Sequence, residues 1–189
     1  MPFPKTWVEE LLIEWLHLEG FLVEANLPVL VSVAGGRYEA YVIGARIVND
    51  TLDIRHLESG SLLGGQTGAT SLMKKKFSPS ICKSVTNYFT RRLSFSSDQI
   101  SYEKYYIPTY SSKPVLKALR DTDVIVEPLP EFISKRILPT IKNWKQKPPH
   151  LPKARGKYIT LPDSYWMLKL VDYLDSNNLL NISETEGLP

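Results

Sequence analysis

The chain has 189 residues, a formal net charge of +3, a pI near 8.8 and 43% hydrophobic residues. That length supports one domain with its own core, while the single cysteine, Cys82, excludes an internal disulfide framework and a cysteine-based zinc cluster. No apolar run approaches the roughly 20 residues of a membrane-spanning helix, and acids interrupt residues 7–20, so the expectation is a cytoplasmic protein with no membrane contact and no secretory signal.

Thr6 followed by Glu9 is a capping-box signature that starts a helix. Trp7, Val8, Leu11, Leu12, Trp15 and Leu18 then recur at helical spacing as one apolar stripe, with Glu9, Glu10, Glu14 and His17 on the other side and Gly20 as the stop. Residues 21–33 read as a strand in which Pro28 marks an edge or an irregularity. Two apolar runs follow, 39–44 and 52–58, joined by Val48-Asn49-Asp50-Thr51. Asn and Asp tolerate positive φ, so the pair reads as a β-hairpin. Residues 60–70, with glycines at 60, 64, 65 and 68, read as a flexible loop. A helix is expected over 78–93, with Pro79 in its first turn and Ile81, Val85, Tyr88 and Phe89 buried.

Beyond it the pattern gives an aromatic strand over 102–110, a short helix over 114–120 and a β-branched strand over 122–127. An amphipathic helix over 131–144 should be kinked or ended by Pro139. Residues 145–157, rich in proline and basic side chains, read as a linker or extended arm, and 160–163 open a last helix through Trp166, Leu170, Val171 and Leu174. The expected organisation is a core over 1–147, a linker over 148–160, and a C-terminal helix and tail over 161–189.

Folding the hairpin brings Glu39 and Glu58, far apart in sequence, to neighbouring strand ends. Two carboxylates there, beside a lysine, can hold Mg²⁺ for phosphodiester hydrolysis. Alternation puts Leu52, Ile54, His56 and Glu58 on one face that begins apolar and ends polar, as where a sheet runs from core to cleft. Glu39 and Tyr41 share a face in the same way. The alternatives are that Glu58 is a surface acid paired with Arg55 or Arg37, and that Glu39 is an exposed strand residue with Tyr41 packed beside it.

A helix, a strand, then a hairpin with an acid on one strand and an acid-x-lysine on the next resembles the PD-(D/E)XK nuclease superfamily. The resemblance spans residues 5–127. It implies an α/β fold with a restriction-endonuclease-like αβββαβ core, a mixed central sheet flanked by helices, here with a C-terminal helical extension. It further implies metal-dependent hydrolysis of DNA, with Mg²⁺ or Mn²⁺ held by Glu39 and Glu58, and with DNA and a second copy of the chain as partners. The chain departs from the pattern twice. Tyr41 stands where the superfamily has its first aspartate, and the acid-x-lysine slot reads Glu58-Ser59-Gly60. A neutral phenol, with a pKa of about 10, is a weak donor to Mg²⁺.

Some members of the superfamily supply the lysine from the region before the second long helix, which makes Lys74 and Lys76 candidate catalytic residues and Lys75 their neighbour. A run of three lysines also fits a phosphate clamp or a solvated stretch. Members also place an acid on the first helix, reaching toward the metal; Glu9 stands there, and its capping role accounts for it as well. The two departures open an alternative: a non-catalytic nucleic-acid or protein-binding module on the same scaffold.

Positive charge gathers at Lys74, Lys75, Lys76, Lys83, Arg91 and Arg92, and again from Lys142 onward, where Lys145 and Lys147 flank an aromatic-containing basic segment. These cations are candidate phosphate contacts, with Trp144 either stacking on a base or anchoring its helix to the core. Solvated surface charge fits the same residues. His17, His56 and His150 share no zinc-binding spacing, and Gly64-Gly65-Gln66-Thr67-Gly68 lacks the Lys-Ser/Thr of a phosphate-binding loop.

Overall fold

The computed structural model describes residues 6–31, 37–96, 98–146 and 160–180. Its elements run α1 (Trp7–Leu18), β1 (Leu22–Val31), β2 (Arg37–Val48), β3 (Thr51–Leu62), α2 (Gly65–Lys76), α3 (Pro79–Arg92), β4 (Ile100–Ser111), α4 (Lys113–Leu119), β5 (Ile125–Val126), α5 (Leu129–Phe132), a π segment (Ile133–Ile137), α6 (Leu138–Gln146) and α7 (Trp166–Ser176). The strands form one sheet in the order β1-β2-β3-β4-β5. β1, β2 and β3 pair antiparallel, while β4 and β5 run parallel to β3. This is the α/β class and the mixed sheet between helices that the sequence predicts.

The β2–β3 hairpin closes at Val48↔Thr51, with Asn49 and Asp50 at φ 48° and 57°. Both residues tolerate this left-handed conformation, which matches the turn to the twist of the strands. β3 and β4 are parallel and need a crossover, supplied by α2 and α3. α3 covers one face with Ile81, Val85 and Phe89 against Ile43, Leu52 and Ile54. Further along, Ala69, Met73 and Phe77 of α2 pack with Tyr106, Val115 and Leu119. On the opposite face Leu11, Leu12 and Leu16 of α1, each almost fully buried, meet Val42, Leu57, Phe132 and Leu168. Burying each such leucine contributes roughly 1.5–3 kcal/mol.

Four expectations change. The segment read as a loop over 60–70 instead ends β3 and begins α2, because the packing of Ala69 and Met73 outweighs the poor helix propensity of its glycines. The strand read over 122–127 is reduced to Ile125–Val126 at the sheet edge. Pro139 does not break its helix: it enters α6 just after the π segment, whose wider turn relieves the clash of a proline ring with the carbonyl four residues back. On α1, Trp7 is exposed, whereas Glu9 and Glu14 are buried at 2% exposure. Thr6 accepts the Glu9 N–H as the capping signature requires. Glu14 accepts the backbone N–H groups of Met167 (3.2 Å) and Leu168 (2.8 Å), so α1 caps the first turn of α7. Most of the basic linker, residues 147–159, including Lys147, lies outside the described residues.

Candidate functional site

Glu58 sits near the end of β3 with 1% of its surface exposed. The alternation Leu52, Ile54, His56, Glu58 holds, and all four are buried. Around its carboxylate, Oε1 accepts the Tyr41 backbone N–H at 3.3 Å and lies 3.2 Å from His56 Nε2. Oε2 faces the Lys76 ammonium at 2.7 Å, an ion pair approached off the hydrogen-bonding direction. The same ammonium stands 3.8 Å from the centre of the Tyr41 ring, within cation–π range. Glu58, Tyr41 and Lys76 therefore meet, although they come from β3, β2 and the last turn of α2.

Backbone geometry explains why no lysine stands at position 60. Gly60 has φ +151°, β3 slips against β4 between Gly60 and Ser61, and a Cβ at Gly60 would come 3.1 Å from the Tyr106 hydroxyl. Any side chain there would be strained. The cation reaches Glu58 from the helix instead. Successive residues of a helix turn by about 100°, so the three lysines of α2 diverge. Lys76 meets Glu58, Lys75 lies 5.5 Å from the Tyr38 ring, and Lys74 lines a hollow toward α4.

Tyr41 lies one step past the Val42↔Leu57 pair, where its N–H turns to the Glu58 side chain. Side-chain alternation is broken around it: Val42 packs in the α1 cluster, yet Ala40 and Ile43 both pack in the α3 cluster. Glu39 lies opposite Pro28 on β1, partly buried. Glu9 reaches β1 on its other side, accepting from Asn26 Nδ2 at 3.3 Å. Asn26 has φ 52° and lies between the pairs Ala25↔Val42 and Leu27↔Ala40, so Glu9 approaches the same stretch of β2 through β1.

Behind Glu58 runs a buried polar chain. Tyr102 Oη is 3.0 Å from His56 Nδ1, and His56 has no exposed surface. The edge of the Phe77 ring closes over His56, with centroids 4.8 Å apart. Tyr106 is the register partner of Glu58 on β4; burial, and then the Glu58 charge, push its phenol up to about 12, so it stays protonated. Burial likewise raises the Tyr102 phenol. Tyr102 and Tyr106 were not singled out from sequence; their even positions on an aromatic strand parallel to β3 are the signal that finds them.

Mg²⁺ requires several oxygen ligands in tight octahedral geometry. Among the described residues no group of three His, Cys, Asp or Glu side chains is placed to hold a metal ion. At Glu58 the ammonium of Lys76 already faces one carboxylate oxygen, and a divalent cation beside it would meet repulsion. The donor set, as arranged, does not fit Mg²⁺.

The helices beside this site share one charge. α2, α3 and α4 contain three, three and two Lys or Arg residues and no Asp or Glu. Among the described residues, Lys74, Lys75, Lys83, Arg91, Lys113 and Lys117 form no ion pair; Arg92 pairs with Glu24 at 3.3 Å. On the opposite face the cations are matched: Lys135 with Glu131, Arg136 with Glu127, Lys142 with Asp175, and Lys145 with Asp172 at 2.5 Å. Lys145 is thus engaged by α7, and Trp144 packs against the α1 core. No protein-family model matches the chain, and no curated protein matches it.

Proposed function

We propose that this protein binds nucleic acid on a scaffold resembling the PD-(D/E)XK nucleases and, with Tyr41 in place, does not hydrolyse it. The observation that carries the reading is the absence of Asp and Glu from α2, α3 and α4, six of whose cations form no ion pair among the described residues, while α2 also carries Lys76 to Glu58. Lysine and arginine without carboxylate partners bind phosphates by releasing the counterions condensed on them. The element order supports the scaffold, since one helix, three strands, a helical segment and a further strand in one mixed sheet is what the resemblance implies. Lys76 faces the Glu58 carboxylate, and the neighbouring position 41 offers a phenol and not a second carboxylate, which supports binding without cleavage.

A second reading is favoured by the same juxtaposition. Lys76 on Glu58, beside residue 41, is the set a nuclease needs once residue 41 is an acid, so the scaffold is one substitution from a second carboxylate. One experiment separates the two. Binding of a labelled duplex is followed by fluorescence anisotropy across a salt series, beside plasmid incubation with Mg²⁺ or Mn²⁺. The expected result is binding whose logarithm falls with log salt at a slope of about −5 for six phosphate contacts, with no cleavage. Absence of salt-dependent binding would overturn the reading. Metal-dependent cleavage abolished by Glu58→Ala would establish an active nuclease instead.

A further inference from the structure

We infer that the groove between α2 and α4 is the track for the phosphodiester backbone of a nucleic-acid strand, with Lys113 and Lys117 as phosphate contacts alongside Lys74. This rests on the nucleic-acid reading above and assigns it a place that no sequence motif indicated. Two adjoining hollows of about 620 and 520 Å³ share Gln66 and Ala118 as walls. Lys113 and Lys117 line the first and Lys74 the second, and no carboxylate lines either.

Three features select a polymer of phosphates over a small anion. First, the groove is open, and its cations are distributed over both of its hollows. Lys113 and Lys117 stand one helical turn apart, a rise of about 6 Å, with Lys74 on the opposite wall. A strand laid along the groove engages all three. Second, the remaining polar lining is uncharged: the Gln66 amide and the Thr67 and Ser71 hydroxyls are suited to donate to phosphate oxygens. The Thr70 hydroxyl already donates to the Gln66 carbonyl and adds no donor. Third, apolar contact from Pro114 and Ala118 lines the groove, which suits sugars and base faces.

The test uses the full chain and a fluorescently labelled oligonucleotide, single-stranded in one arm and duplex in the other. Anisotropy is read across a salt series for wild type, for Lys113→Gln/Lys117→Gln, and for Lys142→Gln, whose lysine pairs with Asp175 on the other face. Both groove lysines are exposed, so the double variant keeps its fold, checked by its melting curve. The groove assignment expects the log-log salt slope of the double variant to be shallower by about 1.4 to 1.8 in at least one arm, the loss of two phosphate contacts, with Lys142→Gln unchanged. A double variant whose slope and affinity equal wild type in both arms overturns the groove while leaving nucleic-acid binding intact. A wild type that binds neither oligonucleotide overturns both. An equal loss in Lys142→Gln also overturns the groove, since the effect would then come from net charge alone.

Discussion

Replacing Lys76 with methionine keeps a long flexible side chain over Tyr41 and removes the ammonium from Glu58. Glu58 is 1% exposed, so the stranded carboxylate cannot reach water, and its Oε2 has no other partner among the described residues. Breaking a buried pair in this direction costs about 3–5 kcal/mol, and the 23% exposure of Lys76 places this pair at the low end, about 3 kcal/mol. For a chain of this length that is a fall in melting temperature of about 6–12 °C. Glu58→Gln is the asymmetric control. It leaves an ammonium that is nearly a quarter exposed and can hydrate, while the amide oxygen still accepts the Tyr41 N–H. It should cost about 1 kcal/mol, the value of a typical hydrogen bond. The loss in the double variant should then be smaller than the sum of the two single losses, by a coupling of about 1–3 kcal/mol. Urea unfolding at neutral pH measures all four proteins, with m-values required to agree. The reasoning is refuted if Lys76→Met stays within about 0.5 kcal/mol of wild type, the range of ordinary surface substitutions. It is equally refuted if Glu58→Gln proves the more damaging of the two.

Millimolar Mg²⁺ should leave the wild-type melting temperature unchanged and raise that of Tyr41→Asp, since a ligand at 100 times its Kd stabilises by about 2.7 kcal/mol; the same pair of proteins, incubated with plasmid, reports any cleavage. Glu14→Ala should destabilise by about 2 kcal/mol, seen as loss of α7 protection in hydrogen exchange, because the Met167 and Leu168 N–H groups lose their acceptor. Burial raises the Glu14 carboxyl above its ordinary value of 4.5, so the stability of the neutral form is fully present below that value and is lost as pH rises through the raised one. Wild type should therefore gain on Glu14→Gln as pH is lowered through the acidic range, read from paired melting curves. Gly44→Ala would set a Cβ 3.0 Å from Phe21 and 3.1 Å from Leu16, an overpacking expected to cost about 1–3 kcal/mol in urea unfolding. Lys145→Gln should leave nucleic-acid affinity and its salt slope unchanged in the anisotropy assay, because Asp172 already holds that ammonium.

Local sequence determined the elements whose signals are local. The Thr6 cap, the Asn49-Asp50 turn and the Pro79 start each depend on a few consecutive residues, and each appears where the sequence placed it. The alternation from Leu52 to Glu58 carried the burial of β3 for the same reason, since strand side chains change face at every residue. The glycines of residues 60–70 misled because helix formation there rests on Ala69 and Met73 packing in the cluster with α4, more than forty residues downstream.

Only the tertiary structure decided which lysine meets Glu58. Three consecutive lysines are equivalent in sequence, and the rotation of α2 against the sheet is what separates Lys76 from Lys75 and Lys74. It likewise decided that Glu14 caps a helix through N–H groups 153 and 154 residues away and that Lys142 and Lys145 are matched by α7. Charge in the sequence gives a sum; whether a cation is free depends on what the fold sets beside it. The six cations of α2, α3 and α4 stay unpaired because no acid lies within those helices and none of the described neighbours brings one to them.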